Sequence, residues 1–432
     1  MKKTSELEFL ERLSDFGIKL GLDKTFSLLK KSGNPHLKYP SILIAGTNGK
    51  GSVSKTLSEI LKKSGFKVGL YLSPHLVDIK ERILINGEKI KEKDFVLEIK
   101  KIKEILSTIP YHLYPTFFEA LTVIAFSYFA KEKIDILVAE VGMGGKFDAT
   151  NVLPSFLEII TSISLEHTQY LGKTLSEIAQ EKAGIIKQKT IVISAFQDKE
   201  VEKVIKRKAK EKKCKLYFYG KNFKGKIVQQ DLNNLVFNFY GEKVFKNIKT
   251  SLLGNHQVEN ISLAIQSCIQ LQKKGYKISE KDIYEGIENV FWPARFQILR
   301  KKPLIILDGA HNPAGIISLK KSIKAIFPKE KFSFFIGILK DKNWKEMIKK
   351  ILPLTEEIIF TQPNTERAIL PENLASFTIK EKKGIKVNII PSVKIGLEKV
   401  KKSKKNFCIC GSLYLAGEVL KYMGSKFLNR RI

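Results

Sequence analysis

The chain has 432 residues, 43% hydrophobic and 28% charged, and its 76 Lys and Arg against 44 Asp and Glu leave a net charge of +32. That length exceeds one compact core and predicts two or three domains of ordinary globular composition, which excludes disordered and fibrous classes. The longest apolar run, Phe117–Ala130, is interrupted by Glu119 and polar residues, so no membrane span is expected. Residues Met1–Glu6 lead into a charged amphipathic segment rather than an apolar signal core, and a cytoplasmic protein is expected. Four cysteines, two of them close together at Cys408 and Cys410, match neither a metal spacing nor a disulfide framework. The positive charge invites a nucleic-acid reading. Yet the lysines are spread along the chain, and dense patches such as 203–215 lack the interleaved aromatics of a stacking surface. Small anionic substrates are the expected partners, with no nucleic acid and no membrane.

In chain order, apolar strand-like runs alternate with helical patterns: Ser41–Ala45, Val68–Leu72, Asp135–Glu140, Glu158–Ser162 and Thr190–Ala195. That alternation predicts a mostly parallel α/β sheet. Between Lys226 and Leu252 the rhythm changes to short alternating runs around Asn233-Asn234 and Tyr240-Gly241, which predicts a small antiparallel sheet. Helices are expected from about Gln257 to Lys274 and from Glu280 to Asn289. The pattern breaks at Phe291–Phe296, around Pro293, and then resumes with Leu304–Asp308, Phe332–Leu339, Ile358–Thr361, Val387–Ile390 and Phe407–Cys410. We therefore expect a nucleotide domain over residues 1–293 and a smaller doubly wound α/β domain over 294–432.

The strongest chemical signal is AGTNGKGSV at 45–53, after the apolar Ile42-Leu43-Ile44 and before a helix-like segment reaching Lys63. A strand, a glycine turn and a helix N-terminus make a phosphate cradle, because backbone N–H groups converge on the anion and the helix dipole favours it. Lys50 is placed to neutralise outer phosphates. The match to the common phosphate loop is imperfect: Ile44 stands where a glycine is usual, and Gly51 intervenes between Lys50 and Ser52. Other polar groups fall at strand ends: Ser73, Glu140, His167 and Asp308. In open parallel sheets ligands bind at the carboxyl ends of strands, so these positions predict one active edge, with Glu140 as an oxygen ligand for a nucleotide-bound magnesium.

With these residues in place the chain resembles the folylpolyglutamate synthase/dihydrofolate synthase branch of the Mur ligase family. The shared stretches run in order through both domains: LLKKSGNP at 28–35, AGTNGKGS, YLSPHL at 71–76, ERILING at 81–87, PTFFEALT at 115–122 and EVGMGGKFDATN at 140–151. They continue with SLEHTQYLG at 164–172, IAQEKAGIIK at 178–187, GNHQVEN at 254–260, FWPARFQ at 291–297, LDGAHNP at 307–313 and GSLYLAGEV at 411–419. The resemblance implies a P-loop-type ATPase domain with a mostly parallel sheet plus a small antiparallel sheet, followed by a smaller Rossmann-like α/β domain. It assigns ATP to Asn48, Gly49, Lys50, Gly51, Ser52, Asn260, Arg295, Asp308 and His311, and magnesium, with two ions expected, to Ser52, Ser73, Glu140, His167 and Lys182. Lys50, Glu140, His167 and Lys182 are the implied catalytic set. Lys182 matches a lysine that the family carbamylates, so that it binds magnesium as an anion. Thr116, Phe117, Phe118, Glu119, Lys146, Asp148 and Thr150 match segments lining the pterin side.

Lys146 stands where the family usually has arginine, and Glu166 where it usually has aspartate; both bear on substrate detail rather than reaction type. The implied reaction is ATP-driven amide formation. A carboxylate of folate or dihydropteroate attacks the γ-phosphate, and the amine of L-glutamate then displaces phosphate from the acyl phosphate. Two rival readings account for less of the chain. A cell-wall Mur enzyme usually carries an N-terminal domain for a uridine nucleotide, and only about 45 residues precede the phosphate loop here. A nucleotide-regulated RNA-binding protein explains the charge but not the polar strand ends. A monomer is expected.

Overall fold

The first sheet has eight strands: β1 (Ser41–Ala45), β2 (Val68–Tyr71), β3 (Ile83–Ile85), β4 (Glu88–Lys89), β5 (Ile136–Glu140), β6 (Leu157–Ile160), β7 (Ile191–Ser194) and β8 (Lys215–Phe218). Their spatial order is β4-β3-β2-β5-β1-β6-β7-β8. All neighbours are parallel except β2/β3 and β3/β4. The central strands read as continuous apolar runs because both faces are covered, and every residue of β1 and β5 is buried. The helix Lys50–Lys63 packs against β1, β2 and β5. Leu43, Ala45, Tyr71, Leu137 and Ala139 belong to a core shared with Phe126, Phe129 and neighbours on the helix Phe117–Lys131. That helix is the long apolar run of the sequence, and it is buried within the fold. Among the described residues no helix is long and apolar enough to cross a membrane.

The β3–β4 hairpin was not expected. Its turn is Asn86-Gly87, with φ of 50° and 86°, the paired positive angles of a tight turn that matches strand twist. Strands too short to show alternation hid it.

A three-stranded sheet follows, β9 (Lys224–Gln230), β10 (Leu235–Tyr240) and β11 (Val244–Thr250), in the order β11-β10-β9. Connections of only a few residues allow antiparallel pairing alone. The last sheet comprises β12 (Gln297–Lys301), β13 (Leu304–Leu307), β14 (Phe332–Ile336), β15 (Thr355–Phe360), β16 (Lys386–Ile389) and β17 (Phe407–Cys410), ordered β12-β13-β17-β14-β15-β16. Only β12 runs antiparallel. The expected class, parallel α/β with a small antiparallel sheet and a second α/β sheet, is the class observed.

This computed structural model describes residues 5–17, 21–424 and 426–429. The chain forms two compact units. One comprises Met1–Lys224, Tyr240–Lys243 and Asn260–Ile287; the other comprises Gly225–Phe239, Val244–Glu259 and Glu288–Ile432. The chain thus passes between units several times, and the small antiparallel sheet falls mostly in the second.

Phe126 is fully buried and meets Tyr71 edge-on, with ring centroids 6.0 Å apart. Phe126→Ala is expected to destabilise the first unit by about 3–5 kcal/mol through lost burial and a residual cavity. Denaturant unfolding followed by circular dichroism checks it; a loss below about 1 kcal/mol contradicts the packing described.

Candidate active site

The phosphate-type turn begins where β1 ends. Gly46 has φ of +146°, and a Cβ there would lie 1.9 Å from Thr161 Oγ1, so glycine alone lets the turn lie against the strand beside it. Gly49, at φ +96°, caps the helix Lys50–Lys63, and a Cβ on it would meet Asn260 Oδ1 at 2.4 Å. Asn260 therefore sits directly on the turn. The chain following β6 stitches the turn in place. Thr47 N donates to Ser162 O at 2.8 Å, Ser164 N donates to Thr47 Oγ1 at 3.1 Å, and Ser162 Oγ donates to Asn48 O at 3.3 Å. Thr47, Ser162 and Ser164 were not among the expected site residues. Their signal was a cluster of hydroxyls immediately after a buried strand, which is weak on its own.

Two amines converge on the turn. Lys50 Nζ donates to Gly46 O at 3.1 Å and to Thr47 O at 3.2 Å. Lys182, from the helix Leu175–Ala183, donates its Nζ to the same Gly46 O at 2.8 Å. Lys182 is buried, and its amine is pulled down to about 7, first by burial and next by the Lys50 charge, with Glu166 and Asp148 acting in opposition.

Ser73, Glu140 and the turn lie at the carboxyl ends of β2, β5 and β1, which are adjacent strands; Ile44 and Glu140 are partners in register. Ser73 N donates to Glu140 Oε2 at 3.4 Å. The Ser73 hydroxyl is buried and has no hydrogen-bond partner among the described residues. Ser52 lies in the first turn of the glycine-led helix and is likewise buried. His167 follows β6 with φ of 52°, a left-handed conformation uncommon outside glycine and asparagine, and caps the short helix Thr168–Leu171. Among the described residues no group of three or more His, Cys, Asp or Glu gathers as a metal cage. An orphaned hydroxyl beside one carboxylate suits magnesium all the same, since that ion keeps waters and shares phosphate oxygens rather than needing an all-protein cage.

The residues expected on the pterin side divide by what they already hold. Thr116 and Glu119 form a capping box: Thr116 N donates to Glu119 Oε2 at 2.7 Å, and Glu119 N to Thr116 Oγ1 at 3.3 Å. Phe118 packs on Gly142 and lies 6.1 Å from the Tyr71 ring; Phe117 stacks under the Arg82 guanidinium at 5.5 Å. Asp148 is buried and accepts from Met143 N, Thr150 N and Thr150 Oγ1 at 2.9, 3.0 and 2.6 Å, so it staples the glycine-rich loop. Burial pushes its carboxyl above the usual range. Lys146 Nζ lies 4.6 Å over the Phe147 ring.

In the second unit Asp308 follows β13. It accepts from Phe296 N and Ala310 N, both at 2.8 Å. Arg295 Nη1 donates to Ala294 O at 2.9 Å, and His311 Nδ1 lies 2.8 Å from Gly309 O. His256, not singled out in the sequence, feels the charges of both Asp308 and Arg295, and burial lowers its affinity for a proton. Arg295, Asp308 and His311 are thus one constellation, while Asn260 belongs to the first unit with the turn.

Comparison with known proteins agrees with this layout. Residues 44–268 match the model of the Mur ligase middle domain, and residues 295–422 match that of the dihydrofolate synthetase C-terminal domain. The chain is 33% identical over 413 residues to the dihydrofolate synthase/folylpolyglutamate synthase of Bacillus subtilis, covering 94% of this chain and 95% of that one. It superposes on the crystal structure of folylpolyglutamate synthase from Thermotoga maritima with a TM-score of 0.86 at 37% identity, covering 97% and 96% of the two chains. The Mycobacterium tuberculosis folylpolyglutamate synthase complexed with ADP and AMPPCP gives a TM-score of 0.90 at 28% identity, covering 98% and 99%.

Gly46→Ala is expected to weaken binding of a non-hydrolysable triphosphate by about tenfold to a hundredfold, the cost of roughly 1–3 kcal/mol of backbone strain in the turn. Titration calorimetry measures it. Gly65→Ala, at φ +88° with open space around it, serves as the control that leaves binding unchanged.

Proposed function

The chain belongs to the folylpolyglutamate synthase/dihydrofolate synthase family, and from that premise we propose that it joins L-glutamate to the carboxylate of a reduced folate, of dihydropteroate or of both, at the expense of ATP. It is an ATP-dependent acid–amino-acid ligase of the Mur type. The observation that carries the reading is the convergence of Lys50 and Lys182 on Gly46 O at a glycine turn that opens a helix.

Phosphoryl transfer from ATP to a carboxylate asks for positioning and charge neutralisation more than covalent help. The turn's N–H groups and the helix N-terminus receive phosphate oxygens, with Asn48, Gly49, Lys50, Gly51 and Ser52 as the contact residues. Lys50, already over the turn, follows charge onto the transferring group. Asn260, Arg295, Asp308 and His311 complete nucleotide binding. Ser52, Ser73, Glu140 and His167 would hold magnesium, two ions in our reading, which supplies charge neutralisation at the phosphates when bound. The glutamate amine then attacks the acyl phosphate carbonyl, an amide C–N bond forms, the C–O bond to phosphate breaks, and the amine proton is released. Thr116 to Glu119, Lys146, Asp148 and Thr150 shape the pterin side, Asp148 and Glu119 by holding backbone and the Phe117 and Phe118 rings by apolar contact. We read the protein as a monomer acting in the cytoplasm.

Replacing Lys50 with alanine is expected to lower glutamate-dependent ADP release by about 10²–10³-fold, the scale of removing one preorganised charge. A coupled ADP assay with dihydropteroate and with a reduced folate in turn tests both the reaction and its acid substrate. Turnover that ignores both acids and glutamate refutes the reading.

A second expectation concerns Lys182. Its amine, at about 7, is largely neutral at pH 8 and able to attack carbon dioxide, forming an N–C bond as one C=O electron pair moves to oxygen and a proton leaves. Carbamate is therefore expected to accumulate as pH rises through about 7, rather than near the ordinary lysine value. Carbon-13 NMR with labelled bicarbonate checks this, with Lys182→Met as the silent control; a silent wild type contradicts it.

A further inference from the structure

Lys182 and the Gly142–Asn151 loop come from separate stretches of chain, and something must set the distance between them. The loop's Lys146 N donates to Glu181 O at 2.8 Å, next to Lys182 in its helix. Asn151, buried at the loop's far end, donates through Nδ2 both to Lys146 O at 2.9 Å and to Gly184 O at 3.3 Å. Gly184 is the residue on which the Lys182 helix ends. One amide thus spans loop and helix end.

Asn151 is in turn held by Lys187, whose Nζ donates to Asn151 O and Asn151 Oδ1, both at 2.6 Å. The Lys187 backbone is anchored to the sheet: its carbonyl accepts from Thr190 Oγ1 at 3.3 Å and from Cys214 Sγ at 3.1 Å. Thr190 also donates to the fully buried Glu158 of β6 at 2.5 Å, and Ser155 Oγ donates to the other oxygen of Glu158 at 2.8 Å. Glu158 and Lys187 feel each other's charge, while burial raises the first to about 7 and lowers the second to about 8. A buried amide bonded through both its oxygen and its nitrogen has one orientation, which suits it to fix a geometry.

We infer that Lys187 and Asn151 are positioning residues: a clamp that seats the Gly142–Asn151 loop against the end of the Lys182 helix and so sets the acid substrate's place relative to Lys182. Neither residue is among those read above as contacting the nucleotide or the reacting groups. Its effect on turnover rests on the ligase reading above; its effect on loop order does not.

Asn151→Asp separates the clamp from general stability. The aspartate keeps an oxygen for Lys187 but loses both donations, to Lys146 O and Gly184 O. Amide exchange in the 142–152 peptide is expected to quicken by about tenfold, with the melting temperature near that of the wild type. The kcat/KM for the pterin acid is expected to fall by about tenfold or more, with KM for ATP unchanged within about twofold. Lys187→Met is expected to give the same split. Asn151→Asp protein that folds and matches wild-type exchange in that peptide overturns the clamp, as does an equal loss for ATP and acid. Wild-type protein without acid-dependent turnover refutes the ligase reading instead, and the exchange rates then decide the clamp alone.

Discussion

Two lysine amines share one carbonyl oxygen, Gly46 O, and the rest of the site is arranged around that fact. Bringing two cations so close is unfavourable unless one loses its proton or an anion joins them. The first response is favoured here, since burial and the Lys50 charge together bring the Lys182 amine down to about 7. A triphosphate over the turn would be the second, for there it would meet Lys50 and the helix N-terminus at once. Converting Lys182 to a carbamate would change its sign, so that Lys50 and residue 182 would attract rather than repel. Charge thus couples residue 182 to Lys50 before any substrate detail enters.

That convergence depends on sheet topology. β1 lies between β5 and β6, with β2 beyond β5, so the chain ends that carry the turn, Glu140, Ser73 and the Ser162–His167 segment emerge side by side. Crossover helices give these strands a common direction, and their polar residues therefore meet at one edge although they are far apart in sequence. The Gly46 approach to Thr161, the backbone bond from Thr47 N to Ser162 O and the bond from Ser164 N to the Thr47 hydroxyl then lock the turn to the end of β6.

Much of this was legible from residues alone, and the reason is periodicity. Central parallel strands are buried on both faces, so SILIA and ILVAE stand out as uninterrupted apolar runs, and glycine with lysine after the first marks a phosphate turn. β3 and β4, of three and two residues, are too short to carry a period, and β8 and β12, each at a sheet edge, lack the continuous apolar run of a central strand, so none of the four was expected. Lys182 illustrates a different limit. Among so many lysines, nothing local distinguishes one whose amine will be buried beside another; only the resemblance to a family pointed to it. Asn151 and Lys187 were quoted within motifs but given no role of their own, because their hydrogen bonds join segments more than thirty residues apart.

The buried carboxylates carry the same lesson about charge. Glu119, Asp148 and Asp308 each accept from backbone N–H groups, and Glu158 accepts from two hydroxyls. Each is satisfied locally, so each holds a cap, a loop or a turn. Asp308 shows what such holding achieves. Ala294 and Phe296, on either side of Arg295, sit at φ of 55° and 46°, conformations that cost on the order of 1 kcal/mol or more each and persist only where the surroundings enforce them. The Asp308 bond to Phe296 N and the Gly309 bond to Ala294 O are that enforcement, and they aim Arg295 from a backbone it would not otherwise adopt. In both units, then, buried acids shape the backbone, through the caps, loops and turns that their accepted hydrogen bonds hold in place.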